Sequence, residues 1–173
     1  NVMNARAAAA AARVAFPSIT DDAVHTSFAS FQGTWRRFEY KGTTKNGADV
    51  YDDYAHHPTA VRVTLKALRA KVKGPPSPGA SARRSKIIVA FHPHLYSRTR
   101  DLLDEFAVAF SDADKVLIAP IYAARETDDG SISSEILAER IRATGVDASA
   151  LTFEQIEAEL SLVGPDTTIM TMG

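Results

Sequence analysis

The sequence predicts an α/β fold: a mostly parallel sheet with helices on both faces, preceded by a helical segment and a hairpin. Three observations carry this. Short aliphatic runs, "KIIVAF" at 86–91, "KVLIAP" at 115–120 and "TTIMTM" at 167–172, read as buried strands. Between them lie stretches whose apolar residues recur every three or four positions, and parallel neighbours need such helical crossovers. Ahead of the alternation, Asn46 and Gly47 form a strong hairpin signal.

Taken in order, residues 1–16 have the alanine content of a helix. "PSITDD" breaks it and starts a second helix, with Thr20 as N-cap and acids in the first turn. "WRRFEYKG" is β-like and leads through Asn46-Gly47 into "ADVYDD". From Pro58, Val61, Leu65, Leu68 and Val72 fall at helical spacing, and proline is welcome in a first turn. "KGPPSPGASARR" is a flexible connection with a solvated basic flank reaching Lys86. After "HPHLYS" comes a helix carrying Leu102, Leu103, Phe106 and Phe110 on one side. "SSEILAERIRATG" has a serine cap and a terminal glycine, and "FEQIEAELSLV" is a further helix.

A chain of 173 residues, 45 % hydrophobic, can bury one proper core with a small appendage. Twenty basic against 21 acidic residues leave a formal charge of −1, so no bulk field argues for nucleic acid or an anionic membrane. Any anion must be held locally. The absence of cysteine excludes disulfides, thiolate zinc sites and thiol nucleophiles and fits a reducing cytoplasm. No apolar run approaches the roughly 20 residues that span a bilayer. "NVMNARAAAAAARVAF" lacks both a signal-peptide pattern and a starting methionine, and "TTIMTMG" stops on glycine, so both ends read as cut from a longer chain.

Ligands of parallel sheets bind outside the carboxyl ends of the strands. "DDYAHHP", "HPHLYSRTR" and "IYAARE" each follow a predicted strand, so the topology brings them to one edge. Three readings of the first stay open. Asp52, Asp53, His56 and His57, with His92 and His94, have the chemistry of a zinc or manganese shell, but no complete ligand motif is present and no metal ligand is assigned. The aspartates could instead accept backbone N–H bonds in a polar turn that caps the helix at Pro58. A carboxylate at a strand end can also accept bonds from a ribose diol. In "SRTR", Arg98 and Arg100 beside His94 open a helix, where arginine forks and terminal N–H groups suit a carboxylate or phosphate. On a strand, Arg36 and Arg37 would face opposite ways, one functional and one solvated. Asn1 and Asn4, one helical turn apart, suit either a base or helix capping. Trp35 and the tyrosines other than Tyr54, Tyr96 and Tyr122 read as packing. The chain has no glycine-rich phosphate loop and no G-x-S-x-G elbow.

"NVMNA", "FQGTWRRFE", "VYDDYAHHPT", "FHPHLYSRTR" and "IYAARE", in this order, resemble the C-terminal part of the Mur ligase family, closest to its UDP-N-acetylmuramate:L-alanine ligase branch. The resemblance covers nearly the whole chain. It implies three domains, of which residues 1–32 would be the helical tail of the central ATPase domain and 33–173 a Rossmann-like C-terminal domain, truncated at its C-terminus. It implies a cytoplasmic, ATP-dependent ligase of cell-wall peptidoglycan synthesis that joins L-alanine to UDP-N-acetylmuramate through an acyl phosphate. The magnesium ligands would lie mainly on the central domain, so the fragment alone is expected to be inactive. Carried over by position, Asn1 and Asn4 would contact adenine, Arg37 an ATP phosphate, Asp53 the ribose, and Tyr54 would lie close to the nucleotide. His56, His94 and Arg98 would face the amino acid and the acyl phosphate, with His56 and Arg98 as the catalytic pair. Leu95 stands where many relatives have a second arginine, His92 where glutamine is usual and Ala60 where a glutamate often follows. The alternatives are a tripeptide ligase of murein recycling, a metal-dependent phosphoesterase, and a stand-alone nucleotide-binding module without chemistry.

Overall fold

The computed structural model describes residues 2–31, 33–73 and 86–173, so Asn1 and nearly all of the proline-rich connection lie outside the described residues. The chain forms two compact units, 1–34 and 35–173.

The first unit consists of α1 (Val2–Ala15) and α2 (Asp21–Ser30). Thr20 caps α2 as expected, its hydroxyl accepting the Ala23 N–H at 3.2 Å. Among the described residues of this unit only Ala9 and Val24 are buried, whereas Val2, Met3, Val14, Phe16 and Phe31 are exposed. Two helices that bury so little do not make a core of their own.

The second unit holds one six-stranded sheet in the order β1-β2-β6-β3-β4-β5. Its elements are β1 (Glu39–Thr43), β2 (Asp49–Asp53), α3 (Pro58–Lys73), β3 (Lys86–Phe91), α4 (Tyr96–Asp101), α5 (Leu103–Ala109), β4 (Lys115–Ile118), α6 (Ser134–Arg142), β5 (Asp147–Ala150), α7 (Phe153–Ser161) and β6 (Thr167–Met172). β1 and β2 form the antiparallel hairpin, with Gly47 at φ 88°, and every other pairing is parallel. Alternation along the strands divides the core between two faces. Ile87, Val89 and Phe91 of β3, with Val116 and Ile118 of β4, pack on α3, α5 and α6 through Leu65, Leu68, Phe106, Phe110, Leu137 and Ile141. Ile88 and Leu117 point the other way, onto Ile156 of α7. The helices therefore cover both faces, as predicted from the alternation.

Two expectations are corrected. The helix after "HPHLYS" is broken at Leu102 into α4 and α5, and Phe110 lies just past the end of α5, yet Phe106 and Phe110 still share the core. "WRRF" is not strand: Arg36 and Phe38 both have φ 53° and β1 begins only at Glu39. The turn is held by the Arg36 N–H donating to Glu39 Oε2 at 2.9 Å and the Phe38 N–H donating to Asp53 Oδ2 at 2.8 Å. Among the described residues no helix is long and apolar enough to cross a membrane.

Candidate functional site

Asp53, Met172, Phe91, Ile118 and Ala150 stand in one row across the sheet, because the parallel strands end in register. The segments that follow β2, β3 and β4 consequently leave from one edge, and their side chains meet. Tyr54 and His56 are 4.6 Å apart between ring centroids, His56 and His94 6.1 Å, and His94 and Tyr122 4.6 Å. His92 sits behind them against Tyr122 and Phe153, at 5.9 and 5.1 Å. Strand order places the reversal of the winding between β3 and β6, at His92 and Gly173. A Cβ at Gly173 would collide with the His92 backbone, so only glycine allows this close approach. Beside it, on the α7 face, opens a cleft of about 680 Å³ lined by Val50, Ile169, Met172, Ile156 and Leu160. A cavity of about 300 Å³ between the starts of α6 and α7 shares Tyr96 and Asp128 with the neighbouring loops.

The polar residues divide by what they already hold. Because the turn replaces a strand, Arg36 and Arg37 do not face opposite ways: their guanidinium carbons stand 5.2 and 5.7 Å from the Tyr54 ring. Arg36 is half-buried and committed, donating from Nε to Asp52 Oδ2 at 2.9 Å and from Nη2 to the Gly173 carbonyl at 2.5 Å. Asp52 also accepts the Thr171 hydroxyl at 2.6 Å. Asp53 is buried and accepts the N–H groups of Phe38 and Ala55, as the polar-turn reading expected. Burial raises its pKa against those bonds and the Arg37 charge. The cap of α3 is His57 rather than an aspartate, its Nδ1 accepting the Thr59 N–H at 3.3 Å.

On the second loop, Arg100 is diverted to Asp101 and Asp129, at 3.0 and 3.3 Å. The anion expected on the first-turn N–H groups of α4 is supplied by the protein, because Glu126 accepts from the Ser97 N–H at 2.9 Å and from its hydroxyl. Among the described residues, Arg98 donates one long bond, of 3.4 Å, to the His94 carbonyl. Among the described residues, neither Arg98 nor Arg37 has a carboxylate within ion-pair distance. His56 Nδ1 lies 2.8 Å from the Tyr54 carbonyl. A carbonyl only accepts, so this bond puts the proton on Nδ1 and leaves the Nε2 lone pair of the neutral ring free. Asn4 is exposed on the first turn of α1.

Burial lowers the pKa of His92, with help from His94 and Arg36. His94 is lowered by burial and then by His56, Arg98 and Arg36. The site therefore holds neutral imidazoles beside unpaired arginine at neutral pH. In an NMR titration of the ring nitrogens, His92 and His94 are expected to protonate below the ordinary 6.5. The unfolded chain then binds more protons just below that value, so these two groups withdraw stability as pH falls from 6.5 through their depressed values. Midpoints at or above 6.5 would contradict the packing described. Among the described residues no group of three or more His, Asp and Glu side chains is placed to hold a metal ion.

Known proteins match this geometry and sequence. Residues 36–173 match the model of the family described as Mur ligase, glutamate ligase domain. The UDP-N-acetylmuramate–L-alanine ligase of Acetivibrio thermocellus is 45 % identical over 175 residues, spanning 100 % of this chain and 34 % of that protein. The chain thus spans about a third of the length of the curated relative it matches. The crystal structure of UDP-N-acetylmuramate-alanine ligase from Thermotoga maritima superposes with TM-score 0.72 at 23 % identity, over 100 % of this chain and 34 % of that one. E. coli FolC in complex with ADP superposes with TM-score 0.65 at 19 % identity, over 98 % and 36 %. These two share the fold. The strand-exit residues that suggested the resemblance thus lie in the matched domain, and the chain belongs to the Mur ligase family.

Proposed function

We propose that this chain is the C-terminal part of an ATP-dependent ligase that joins L-alanine to UDP-N-acetylmuramate in cytoplasmic peptidoglycan synthesis. The observation that carries the reading is Arg98 without a carboxylate partner beside the paired rings of His56 and His94, on a chain 45 % identical to such a ligase. Residues 33–173 would be its C-terminal domain. Residues 1–32 would be the tail of a central ATPase domain, a reading supported by the exposed Val2, Met3, Val14 and Phe16, which burial against such a domain would cover.

The residues fit a nucleotide at one end. Arg37, which has no carboxylate within ion-pair distance among the described residues, stands over the partly exposed Tyr54 ring and is suited to a phosphate and an adjoining sugar or base. Asp53 would offer the ribose only the lone pairs its backbone bonds leave over. Asn1 and Asn4 are assigned the adenine by the resemblance alone. ATP would supply the phosphoryl group that activates the muramate carboxylate as an acyl phosphate. The resemblance alone assigns the magnesium ligands mainly to the central domain, and no step here depends on them.

At the other end, Arg98 would receive the carboxylate of the amino acid as a two-pronged donor. His56 Nε2 and the neutral His94 ring would accept hydrogen bonds from its amine, orienting the nucleophile and taking up its proton. The chain carries no phosphate loop and is expected not to turn over ATP by itself. The test uses the whole parent protein with ATP and UDP-N-acetylmuramate. L-alanine should stimulate ADP release and yield an equimolar amide-linked product. Stimulation by a tripeptide instead would favour the recycling ligase, and stimulation by neither would refute the proposal.

A further inference from the structure

Among the described residues, Arg98 is held by little of its own, and His94 by the rings around it. Arg98 has its one long bond to a backbone carbonyl, and α4, which carries it, is six residues long. The cap residue of α4 is Leu95, whose side chain cannot accept a hydrogen bond. Leu95 also has φ 73°, a conformation rare for a residue with a side chain, which persists only where surrounding contacts fix it. Those contacts come from the loop after β4. The Tyr122 N–H donates to the Pro93 carbonyl at 2.8 Å and the Leu95 N–H to the Tyr122 carbonyl at 2.9 Å, a one-rung extension of the sheet. Four residues on, the Glu126 carboxylate accepts the N–H and the hydroxyl of Ser97, and the Tyr96 N–H adds to them. Both carboxylate oxygens are used on the start of α4, where a negative group also meets the positive end of the peptide dipoles.

We infer that Glu126 is a positioning residue: from the loop after β4 its carboxylate caps α4 in place of Leu95 and so holds Arg98 and His94 where the amino acid is bound. The inference rests on the amino-acid end of the site proposed above. Glu126 touches no reacting atom in this arrangement. It fixes the backbone from which the clamp projects, and it takes up the Tyr96 and Ser97 N–H groups, so that a bound carboxylate turns to Arg98.

Two arms test this. In hydrogen exchange on the 173-residue chain, Glu126→Ala should speed exchange at Leu95, Ser97 and Thr99 and leave Val89 unchanged. In the whole parent, Glu126→Ala should raise the amino-acid KM by roughly tenfold, within the ~10²-fold that a misplacement of about 1 Å can cost, with the ATP KM unmoved. Glu126→Gln, whose amide still accepts the Ser97 N–H and can donate to its hydroxyl, should restore most of both. Asp129→Ala, which removes the outer pair with Arg100 and a bond to the Ser131 N–H but no contact with Ser97, should change the KM less than about twofold. Unchanged exchange in Glu126→Ala, a glutamine variant as impaired as the alanine one, or an ATP KM rising in step would overturn the inference. A wild-type parent with no amino-acid-stimulated ADP release would sink the proposed function instead, and the exchange arm would then decide the positioning role alone.

Discussion

Replacing Arg98 by alanine in the whole parent protein is expected to raise the KM for L-alanine by about 30- to 300-fold, the equivalent of roughly 2–3.4 kcal/mol. A charge-assisted, two-pronged bond to a carboxylate would be lost, and the neighbouring Arg36 and Arg100 are committed elsewhere. Arg36 is tied to Asp52 and Gly173, and Arg100 to Asp101 and Asp129. The carboxylate is held alike before and during reaction, so KM should carry more of the loss than kcat. Lysine at 98 should recover only part, since a point charge cannot reproduce the planar fork. An amino-acid KM unchanged in steady-state ADP release would remove Arg98 from the site.

Phe91→Ala should cost the chain about 3–5 kcal/mol, a large share of the 5–15 kcal/mol that holds a typical domain together. Phe91 is 1 % exposed at the end of β3, with the rings of Phe106 and Phe110 at 5.5 and 5.2 Å and Met172 and Ile118 on the strands either side. Truncation removes the ring's transfer energy and leaves a cavity that two rigid aromatic neighbours and a hydrogen-bonded sheet cannot close. The next residue is His92, so the same packing fixes where the site begins. Urea unfolding of the wild-type and variant chains measures the loss. A value below about 1 kcal/mol would mean that Phe91 lies outside the core.

The parts of the fold set by local pattern were legible in the sequence. Thr20 capping α2, the Asn46-Gly47 hairpin, Pro58 opening α3 and the apolar strands β3, β4 and β6 all follow from neighbours within a few residues. So did the convergence of the three polar segments, because parallel strands with helical crossovers leave no other place for their exits. β5 was not legible: "DASA" is a short edge strand whose small residues carry little hydrophobic signal. The turn at Arg36 to Phe38 was misread for a different reason. Local composition favours a strand, but the Asp53 carboxylate, fifteen residues on, takes the Phe38 N–H and bends the chain back. The Glu126 bond to Ser97 spans 29 residues, and "IYAARE" gives no local hint of it. Asp52 and His57, to which the sequence assigned no firm role, turn out to anchor Arg36 and to cap α3.

The claim that most depends on this geometry is that Arg98 reads the carboxylate of the amino acid. Its direct measurement compares L-alanine with alaninamide, which keeps the amine and loses the carboxylate charge, as stimulants of ADP release by the wild-type parent and by its Arg98→Ala variant. The wild type should prefer alanine by about 30-fold or more in kcat/KM, and the variant should show almost no preference. A variant that discriminates as well as the wild type would contradict the account, because the carboxylate would then be read elsewhere.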